Sequence, residues 1–373
     1  MSQIDLNAVA RSGLSALQQG DAVTARAAFE QVTAAGSATP RLNLLLAHAC
    51  HRLGDKAAAA TALDAVLAAE PRNIEALILR GDVAEDDRTA SAFYSFALSS
   101  AQGANPTPAI AARLQHAQAA LEAANGRMLG HLRDVTAGHD AGPRFAEAVE
   151  IVAGAKQPYV QAPTSFFYPG LPHTQFFEPA DFAWAAALEA NAPQIRTELE
   201  AVLASDAGLR PYVESEPNRP NRGHELIGDP SWSAFHLMEK GKPVAGNAER
   251  CPATMAALAD LPIPRIAGRS PMALFSVLKA GTHIKPHNGM INTRLIVHLP
   301  LIVPPGCALR VGNDAREVEA GKLMIFDDSI EHEAWNRSDA TRVVLLFEIW
   351  RPELSTAERE ALTALFEAIG SYA

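Results

Sequence analysis

The stretch Gly281-Thr-His-Ile-Lys-Pro-His287-Asn-Gly places one imidazole after a glycine-containing turn. The stretch Leu323-Met-Ile-Phe-Asp-Asp-Ser-Ile-Glu-His332 places a second imidazole 45 positions later, after an apolar run. Arg342 follows the second histidine by ten residues and opens another apolar run. This order predicts a β-barrel that holds iron(II) between His287 and His332, with Arg342 binding an anionic cosubstrate.

The sequence around these stretches is strand-like from residue 272 onward. Its apolar runs, separated by glycine and proline, predict the strands Ala273–Leu278, Thr293–Leu299, Ala308–Val311, Leu323–Phe326 and Val343–Ile349. Several short strands at this spacing indicate a β-sandwich or β-barrel. The following segment, Ser355 to Ile369, predicts a helix with Ser355 as its N-cap and Glu358 as the capping-box partner.

Length and charge bound the number of domains and the class of partner. The chain has 373 residues, for which two domains are expected. Its 32 basic and 42 acidic residues give a formal charge of −10, which argues against nucleic acid or an anionic membrane as the main partner. Cys50, Cys251 and Cys307 are far apart and have no metal-binding spacing, so they favour a reducing compartment. We therefore expect a soluble cytoplasmic protein.

Neither a leader nor a membrane segment is expected. The first residues lack a basic region followed by an apolar region, as a signal peptide would have. The longest apolar stretch, Leu295 to Val303, is interrupted by His298 and Pro300 and is too short to span a bilayer. The sequence thus predicts no integral membrane segment.

Residues 1–125 are rich in alanine and leucine and repeat with a period of 34. Small residues recur at this period at Gly13, Ala47 and Gly81. Large apolar residues recur likewise at Phe29 and Leu63, and in the third unit we expect Phe96 in the same role. The period and the placing of small and large residues resemble the tetratricopeptide repeat, in which small residues let paired helices approach. An all-α helical-repeat solenoid is therefore predicted.

The rest of the chain divides by composition. Residues 106–123 predict a further, capping helix, and residues 126–160 predict a helical connector between two domains. The C-terminal domain is expected over 161–373, where aromatic residues and prolines appear. Within it, 180–204 predicts one amphipathic helix. The polar segment 205–234 predicts a loop over a site, although composition alone fits a solvent-exposed loop almost as well.

The metal prediction rests on the joint pattern around the two histidines. Neutral imidazole suits Fe(II), and non-haem oxygenases usually add a carboxylate two residues after the first histidine. Gly289 occupies that position here, so either water completes the coordination or no metal is bound. Asp327 and Asp328 precede His332; one could be a ligand, but orienting an imidazole N–H is the more common role of such a carboxylate.

Four other polar residues complete the candidate site. Arg342 can form a bidentate pair with the distal carboxylate of a dicarboxylate, to which Ser276 could also donate. Without this context, Arg342 would be interpreted as an exposed arginine at the start of a strand. His298 is a candidate donor to the other end of the same anion. His283 would form a zinc pair with His287 on a helix, but Gly281 and Pro286 disfavour a helix there.

Taken together, these motifs resemble the aspartyl/asparaginyl β-hydroxylase family. The resemblance rests on His283-Ile-Lys-Pro-His-Asn-Gly, Phe326-Asp-Asp-Ser-Ile-Glu-His-Glu-Ala-Trp-Asn, Trp350-Arg-Pro-Glu-Leu, and upstream on Phe167-Tyr-Pro-Gly-Leu-Pro and Trp232-x-x-Phe-x-Leu. It covers about residues 160–360. The animal enzymes of this family also carry helical repeats before the oxygenase domain, as residues 1–125 predict here.

The resemblance implies a double-stranded β-helix, also called a jelly roll and similar to cupins, with flanking helices. It implies Fe(II), 2-oxoglutarate and O2, with iron held by His287 and His332 alone and glycine in the usual place of the acid. The resemblance assigns Ser276 and Arg342 to binding of the far carboxylate of 2-oxoglutarate, and His298 to its near, metal-chelating end.

One position departs from the family pattern. The animal enzymes carry an arginine where this chain has Ile296, two residues before His298. Arg294 is retained and is a candidate for substrate binding. Without that arginine, this chain lacks a contact to the near carboxylate of the cosubstrate or to the substrate itself.

The implied activity is hydroxylation of an unactivated carbon, first of all the β-carbon of Asp or Asn in a peptide or protein. The helical repeats would help to recruit that substrate. Hydroxylation of a lipid acyl chain or of a small molecule is an alternative within the same chemistry. A different class of function is a repeat scaffold whose barrel binds metal without turnover.

Overall fold

The computed structural model describes residues 5–103, 105–139, 141–205, 208–214 and 225–372. It forms two compact units, residues 1–156 and residues 157–373. Within the predicted loop 205–234, residues 206–207 and 215–224 lie outside the described part of the chain.

Helices make up the described part of the first unit. They are α1 (Leu6–Gln18), α2 (Ala22–Ala34), α3 (Pro40–Arg52), α4 (Lys56–Ala69), α5 (Ile74–Asp82), α6 (Asp87–Ser100), α7 (Pro108–Thr136) and α8 (Pro143–Val152). The first seven each begin after an Asp, Thr or Asn whose side chain accepts a backbone N–H of the first turn. The predicted helical-repeat architecture is confirmed.

The repeated small residues allow the close helix packing that their spacing predicts. A Cβ atom at Gly13 would lie 2.8 Å from the Phe29 ring, and one at Gly81 would lie 2.5 Å from the Tyr94 ring. The prediction for the third unit is wrong, because Phe96 is 43% exposed and Tyr94 takes the place of Phe29. Helix α5 ends at Asp82, directly after Gly81, whereas α1 continues to Gln18 beyond Gly13. The second helix of the third unit, α6, therefore begins fewer residues after Gly81 than α2 begins after Gly13.

Helix α7 differs in length from the expected capping helix. It runs without interruption from Pro108 to Thr136, well beyond the predicted 106–123, and it crosses residue 125. Pro108 stands at its first turn, where the missing N–H costs no hydrogen bond, and Thr107 caps it. Asn125-Gly126 and Gly130, which would ordinarily signal a turn, lie inside this helix, so the local signal does not end it here.

The second unit is an antiparallel sandwich of two sheets. Its strands are β1 (Phe176–Phe177), β2 (Arg210–Pro211), β3 (Trp232–Glu239), β4 (Lys242–Pro243), β5 (Ala273–Leu278), β6 (His283–His287), β7 (Arg294–Ile302), β8 (Cys307–Val311), β9 (Asp314–Glu317), β10 (Met324–Phe326), β11 (His332–Asn336) and β12 (Arg342–Trp350). The larger sheet has the order β1-β10-β7-β12-β5-β3-β2, with β4 beside β3, and the smaller has the order β6-β11-β8-β9. From β5 to β12 the chain passes repeatedly between the two sheets, which confirms the predicted jelly-roll class.

Strand alternation gives the larger sheet two different faces. Leu295, Val297 and Leu299 of β7 face a core that includes Leu188 and Leu199 of the helices α9 (Ala185–Ala190) and α10 (Ala192–Ser205). The residues between them on β7 face the smaller sheet, where Ile296 packs in the same cluster as Ile284 and Leu309. One face of the larger sheet therefore carries a covering layer of helices, and the other lines the interior of the sandwich.

The predicted helix over 180–204 is wrong as a single element. A 3-10 turn (Pro179–Asp181) and α9 precede α10, and the two helices are separated at Asn191. Pro193 has no backbone N–H and cannot continue the hydrogen-bond ladder of α9. Two further helices complete the unit, α11 (Pro252–Leu258) and α12 (Thr356–Ser371), and the predicted capping box of Ser355 and Glu358 is present on α12.

Candidate active site

A cavity of about 570 Å³ lies between the two sheets. Six of the candidate site residues singled out from the sequence line it: Ser276, His287, Arg294, His298, His332 and Arg342. They come from five strands, since β5, β7 and β12 of the larger sheet face β6 and β11 of the smaller one. The fold thus brings together residues that are up to 66 positions apart in sequence (342 − 276).

His287 and His332 are direct cross-strand partners. They pair in the register of β6 and β11, and their ring centroids are 4.2 Å apart. The Nδ1 of His287 lies 2.8 Å from the Lys285 carbonyl oxygen, and the Nδ1 of His332 lies 3.0 Å from that of Ile330. A carbonyl can only accept, so each Nδ1 carries the proton and each neutral ring has its lone pair on Nε2.

The buried imidazole is held neutral, as a metal ligand must be. Burial, together with the neighbouring His287, lowers the pKa of His332 to about 3. Metal binding needs the unprotonated ring. In the described ranges, no group of three or more His, Cys, Asp or Glu side chains is placed to hold a metal ion. Two neutral imidazoles with ring centroids 4.2 Å apart are ligands of a type that iron(II) accepts, so the pair fits such a metal.

Gly289 is required by packing, which explains the absence of a carboxylate at this position. A Cβ atom there would lie 2.2 Å from Oδ2 and 2.4 Å from Cγ of Asp328. The backbone N–H of Gly289 also donates to the Asp328 carbonyl at 2.6 Å. Asp328 thus fills the space into which a side chain at 289 would project.

The two aspartates have different partners from those that the sequence predicts. Asp327 accepts from Arg351 at 2.5 Å and from Gln161 at 2.6 Å, and its other oxygen accepts from the Ser329 hydroxyl. Asp328 lies beside Arg294. The expectation that one of them orients an imidazole Nδ1–H is wrong, because backbone carbonyls perform that role.

His283 does not form a metal pair with His287. Its Nε2 lies 2.6 Å from Oε2 of Glu333, and its ring meets Trp335 edge-on at 6.3 Å. Four residues of an extended strand span about 13 Å, and the bulge in the pairing of β6 with β11 places His287 with Ile284 on the cavity side while His283 lies outside the cavity lining.

Arg342 is buried, and no carboxylate of the described ranges forms an ion pair with it. It is 1% exposed, and within the described part of the chain its Nε and Nη1 have no hydrogen-bond partner. Burial lowers the pKa of Arg342 to about 10. A buried cation with unmade hydrogen bonds is costly, so this side chain is suited to an anion that enters the cavity. It is not the exposed strand-start arginine that the sequence left open.

Ser276 and His298 lie on the same inner face of the larger sheet. Ser276 is two residues from Leu278, the register partner of Arg342, and its Oγ accepts from the Trp232 indole at 3.1 Å. Its own hydroxyl proton is therefore directed elsewhere. Burial, and then the charge of Arg342, lowers the pKa of His298 well below its ordinary value, so this ring is neutral.

Arg294 has carboxylate partners of its own. Its Nη1 donates to Glu348, and its Nη2 lies 3.4 Å from Oδ2 of Asp328. Although burial opposes it, the charges of Glu348 and Asp328 raise the pKa of Arg294. Burial raises the pKa of Asp328 to about 6 even though Arg294 opposes the shift. Two of the three guanidinium nitrogens are thus engaged within the protein.

Several cavity residues had no role in the sequence prediction. Trp232 stacks on Tyr212 with 4.0 Å between ring centroids, and the Trp232-x-x-Phe motif was a signal for it. Lys240 and Arg269 also line the cavity. No sequence pattern marks them, because they lie in turns between strands.

Comparison with known proteins finds similarity for both parts of the chain. Residues 189–352 match the aspartyl/asparaginyl β-hydroxylase family, and residues 16–82 match the tetratricopeptide repeat. The chain is 36% identical over 193 residues to an ornithine lipid ester-linked acyl 2-hydroxylase of Rhizobium tropici, covering 51% of this chain and 65% of that protein.

Two human proteins are also similar. Aspartyl/asparaginyl β-hydroxylase is 34% identical over 179 residues, covering 48% of this chain and 22% of that protein. Aspartate β-hydroxylase domain-containing protein 2 is 33% identical over 216 residues, covering 56% of each. The chain therefore spans less than two thirds of each relative. The resemblance inferred from the motifs is confirmed.

Across the described residues, no helix combines the length and the apolar character needed to cross a membrane.

Proposed function

We propose that the C-terminal domain, which belongs to the aspartyl/asparaginyl β-hydroxylase family, is a hydroxylase of unactivated carbon that uses Fe(II), 2-oxoglutarate and O2. The observation that carries this proposal is the buried guanidinium of Arg342, whose Nε and Nη1 have no partner among the described residues, in the same cavity as the paired His287 and His332. An anion site beside a pair of metal-binding imidazoles suits a carboxylate cosubstrate that also binds the metal.

Each residue has a defined task in this proposal. His287 and His332 hold the iron through Nε2, with Nδ1–H fixed by the backbone. Arg342 and Ser276 bind the far carboxylate of 2-oxoglutarate, and neutral His298 contacts its near end. When bound, iron and 2-oxoglutarate supply the activation of O2: one oxygen atom enters a substrate C–H bond, and the other converts 2-oxoglutarate to succinate and CO2.

The family match favours the β-carbon of Asp or Asn in a peptide or protein as the site of hydroxylation. The repeats would then help to recruit the substrate, since helical repeats offer extended concave surfaces. Equal coupled turnover of subsaturating peptide by residues 157–373 and by the full chain would leave the repeats a purely structural role.

A second substrate, a lipid acyl chain, is favoured by two observations on the cavity. Ile296 provides an apolar surface where animal relatives carry arginine, and Arg294 is already paired with Glu348 and Asp328. The similarity to the Rhizobium acyl 2-hydroxylase supports the same substrate class.

For location we propose the cytoplasm, where free thiols such as the buried Cys50, Cys251 and Cys307 persist.

An anaerobic titration tests the iron and cosubstrate assignment. Fe(II) followed by 2-oxoglutarate should produce a weak visible charge-transfer band in the wild type, and His287→Ala and His332→Ala should each lose the band and succinate release. His283→Ala is the matched control, because His283 pairs with Glu333 outside the cavity lining, and it should retain both. Near-wild-type turnover in either ligand variant would reject the iron site. A band without succinate release in the presence of O2 would favour the non-catalytic scaffold.

A further inference from the structure

The cavity has a second cationic region besides Arg342. On β12, Arg342 and Glu348 are six residues apart on the same face, which corresponds to about 20 Å at about 3.4 Å per residue. Arg342 thus marks the cosubstrate end, and the pair of Arg294 and Glu348 marks the opposite end. The second cationic region lies at that opposite end, near Arg294.

Lys240 and Arg269 are brought together by a tight contact between two turns. The N–H of Gly241 donates to the Pro271 carbonyl at 3.2 Å. Gly241 has φ +84°, and a Cβ atom there would lie 2.9 Å from the Ser270 carbonyl oxygen, so only glycine fits without displacement. The turn after β3 therefore packs on residues 268–271, and both cationic side chains line the cavity.

Among the described residues, no carboxylate forms an ion pair with Lys240 or Arg269. The Arg269 guanidinium lies over the Phe366 ring at 4.3 Å from its centroid, which fixes it at the cavity wall. Burial, and then the positive charge of Arg294, lowers the pKa of Arg269. An anion placed here would offset the repulsion that Arg269 experiences from Arg294.

The surface between this region and the imidazoles is apolar. Met272, Ile296 and Leu346 line the cavity there. A substrate whose carboxylate lies one bond from the reacting carbon would place its charge beside this surface, where Arg294 is already engaged. A substrate whose anionic group is several carbons from the reacting carbon would instead place the charge at Arg269 and the chain along the apolar wall.

We propose that Lys240 and Arg269 bind the anionic group of an acyl-chain substrate, whose apolar chain passes Met272, Ile296 and Leu346 toward His287 and His332. The inference rests on the proposed hydroxylase function and selects its acyl-chain form. It adds a substrate-binding site that lies apart from the cosubstrate residues.

Binding of N-lauroylglycine to the full-length protein tests the site without requiring turnover. This probe has a carboxylate and an apolar chain, and its methylamide lacks only the charge. We expect the methylamide to bind the wild type about ten-fold or more weakly than the acid, and Arg269→Gln with Lys240→Gln to weaken the acid by a similar factor, as expected for a lost charge-assisted contact. Arg269→Lys should restore part of the affinity.

Lys242→Gln is the matched control, because this lysine is exposed, close in sequence and outside the cavity lining. It should leave the affinity for N-lauroylglycine unchanged. Equal affinity for the acid and the methylamide, or an unaffected Arg269→Gln/Lys240→Gln variant, would overturn the proposal. So would a non-acylated acidic peptide that binds more tightly than the probe with the same dependence on Arg269. Because succinate release is measured separately, failure of the hydroxylase assignment is distinguishable from failure of this site.

Discussion

Two arginines on neighbouring strands of the same sheet have opposite surroundings. Arg294 is the first residue of β7 and Arg342 the first residue of β12, and each is followed by an apolar run. Both line the cavity. Arg294 is engaged by Glu348 and Asp328 and keeps only its Nε without a partner, whereas Arg342 lacks partners for Nε and Nη1 among the described residues.

The difference separates a structural charge from a ligand-binding charge. The guanidinium of Arg294 is compensated within the fold, so its pKa is raised, and removing a partner should destabilise the protein. Burial lowers the pKa of Arg342, which has no carboxylate partner in the part of the chain that the structure describes, so removing it should affect an incoming anion rather than the fold. The surroundings of each arginine can be tested by separate mutations.

The largest expected effect on stability is at the Arg294 end. Glu348→Gln keeps an acceptor for the Met272 N–H but removes the main counter-charge of Arg294, which should lower the free energy of unfolding by about 3–5 kcal/mol. All four tryptophans lie within residues 157–373, so tryptophan fluorescence in urea reports this unit. Its 2-oxoglutarate requirement should change little.

The double variant Arg294→Met with Glu348→Gln is the control for that prediction. It removes both charges, so most of the lost stability should return. Equal instability of the single and double variants would mean that the pair contributes through shape and not through charge.

The next largest expected effect is on the affinity for the cosubstrate, at the Arg342 end of the cavity. Arg342→Met preserves most of the volume but removes the cation, and truncating one side of a charge-assisted pair costs about 2–5 kcal/mol, or roughly 30-fold or more in affinity. The 2-oxoglutarate concentration for half-maximal succinate release should rise accordingly, while stability without 2-oxoglutarate should not fall. Arg342→Lys should recover only part of the affinity, since lysine cannot form the bidentate fork. An unchanged requirement would remove Arg342 from the cosubstrate site.

Sequence reasoning identified both arginines but could not distinguish their surroundings. Spacing and strand pattern located the two histidines, and the five predicted strands are all present. Strands β6 and β11 were missed because polar residues such as His283, Lys285 and Glu333 interrupt their apolar pattern. The partners of Arg294 come from strand pairing over long sequence separations, which no local pattern records.

The pair of Lys240 and Arg269 was also beyond sequence reasoning, for a different reason. The two residues line the same cavity because the turn at Gly241 packs on residues 268–271. Such contacts between turns depend on the tertiary fold, and short turns carry no periodicity from which to infer them. Sequence reasoning was limited in the same way at Gly289. The sequence suggested that a metal ligand is missing there, whereas the structure explains the glycine by its packing against Asp328.

The smallest expected effect concerns Gly289, which connects the metal site to the Arg294 end. Gly289→Ala would place a Cβ atom 2.2 Å from Asp328 Oδ2, so Asp328 must move away from Arg294. Overpacking of this kind costs about 1–3 kcal/mol. Urea unfolding followed by tryptophan fluorescence measures the loss, and Gly370→Ala, with open space around it on α12, should cost nothing. In an Asp328→Ala background the added methyl group has room, so the cost of Gly289→Ala should largely disappear. If the cost persists there, the glycine is required by something other than Asp328, and the packing explanation for the two-histidine site is wrong.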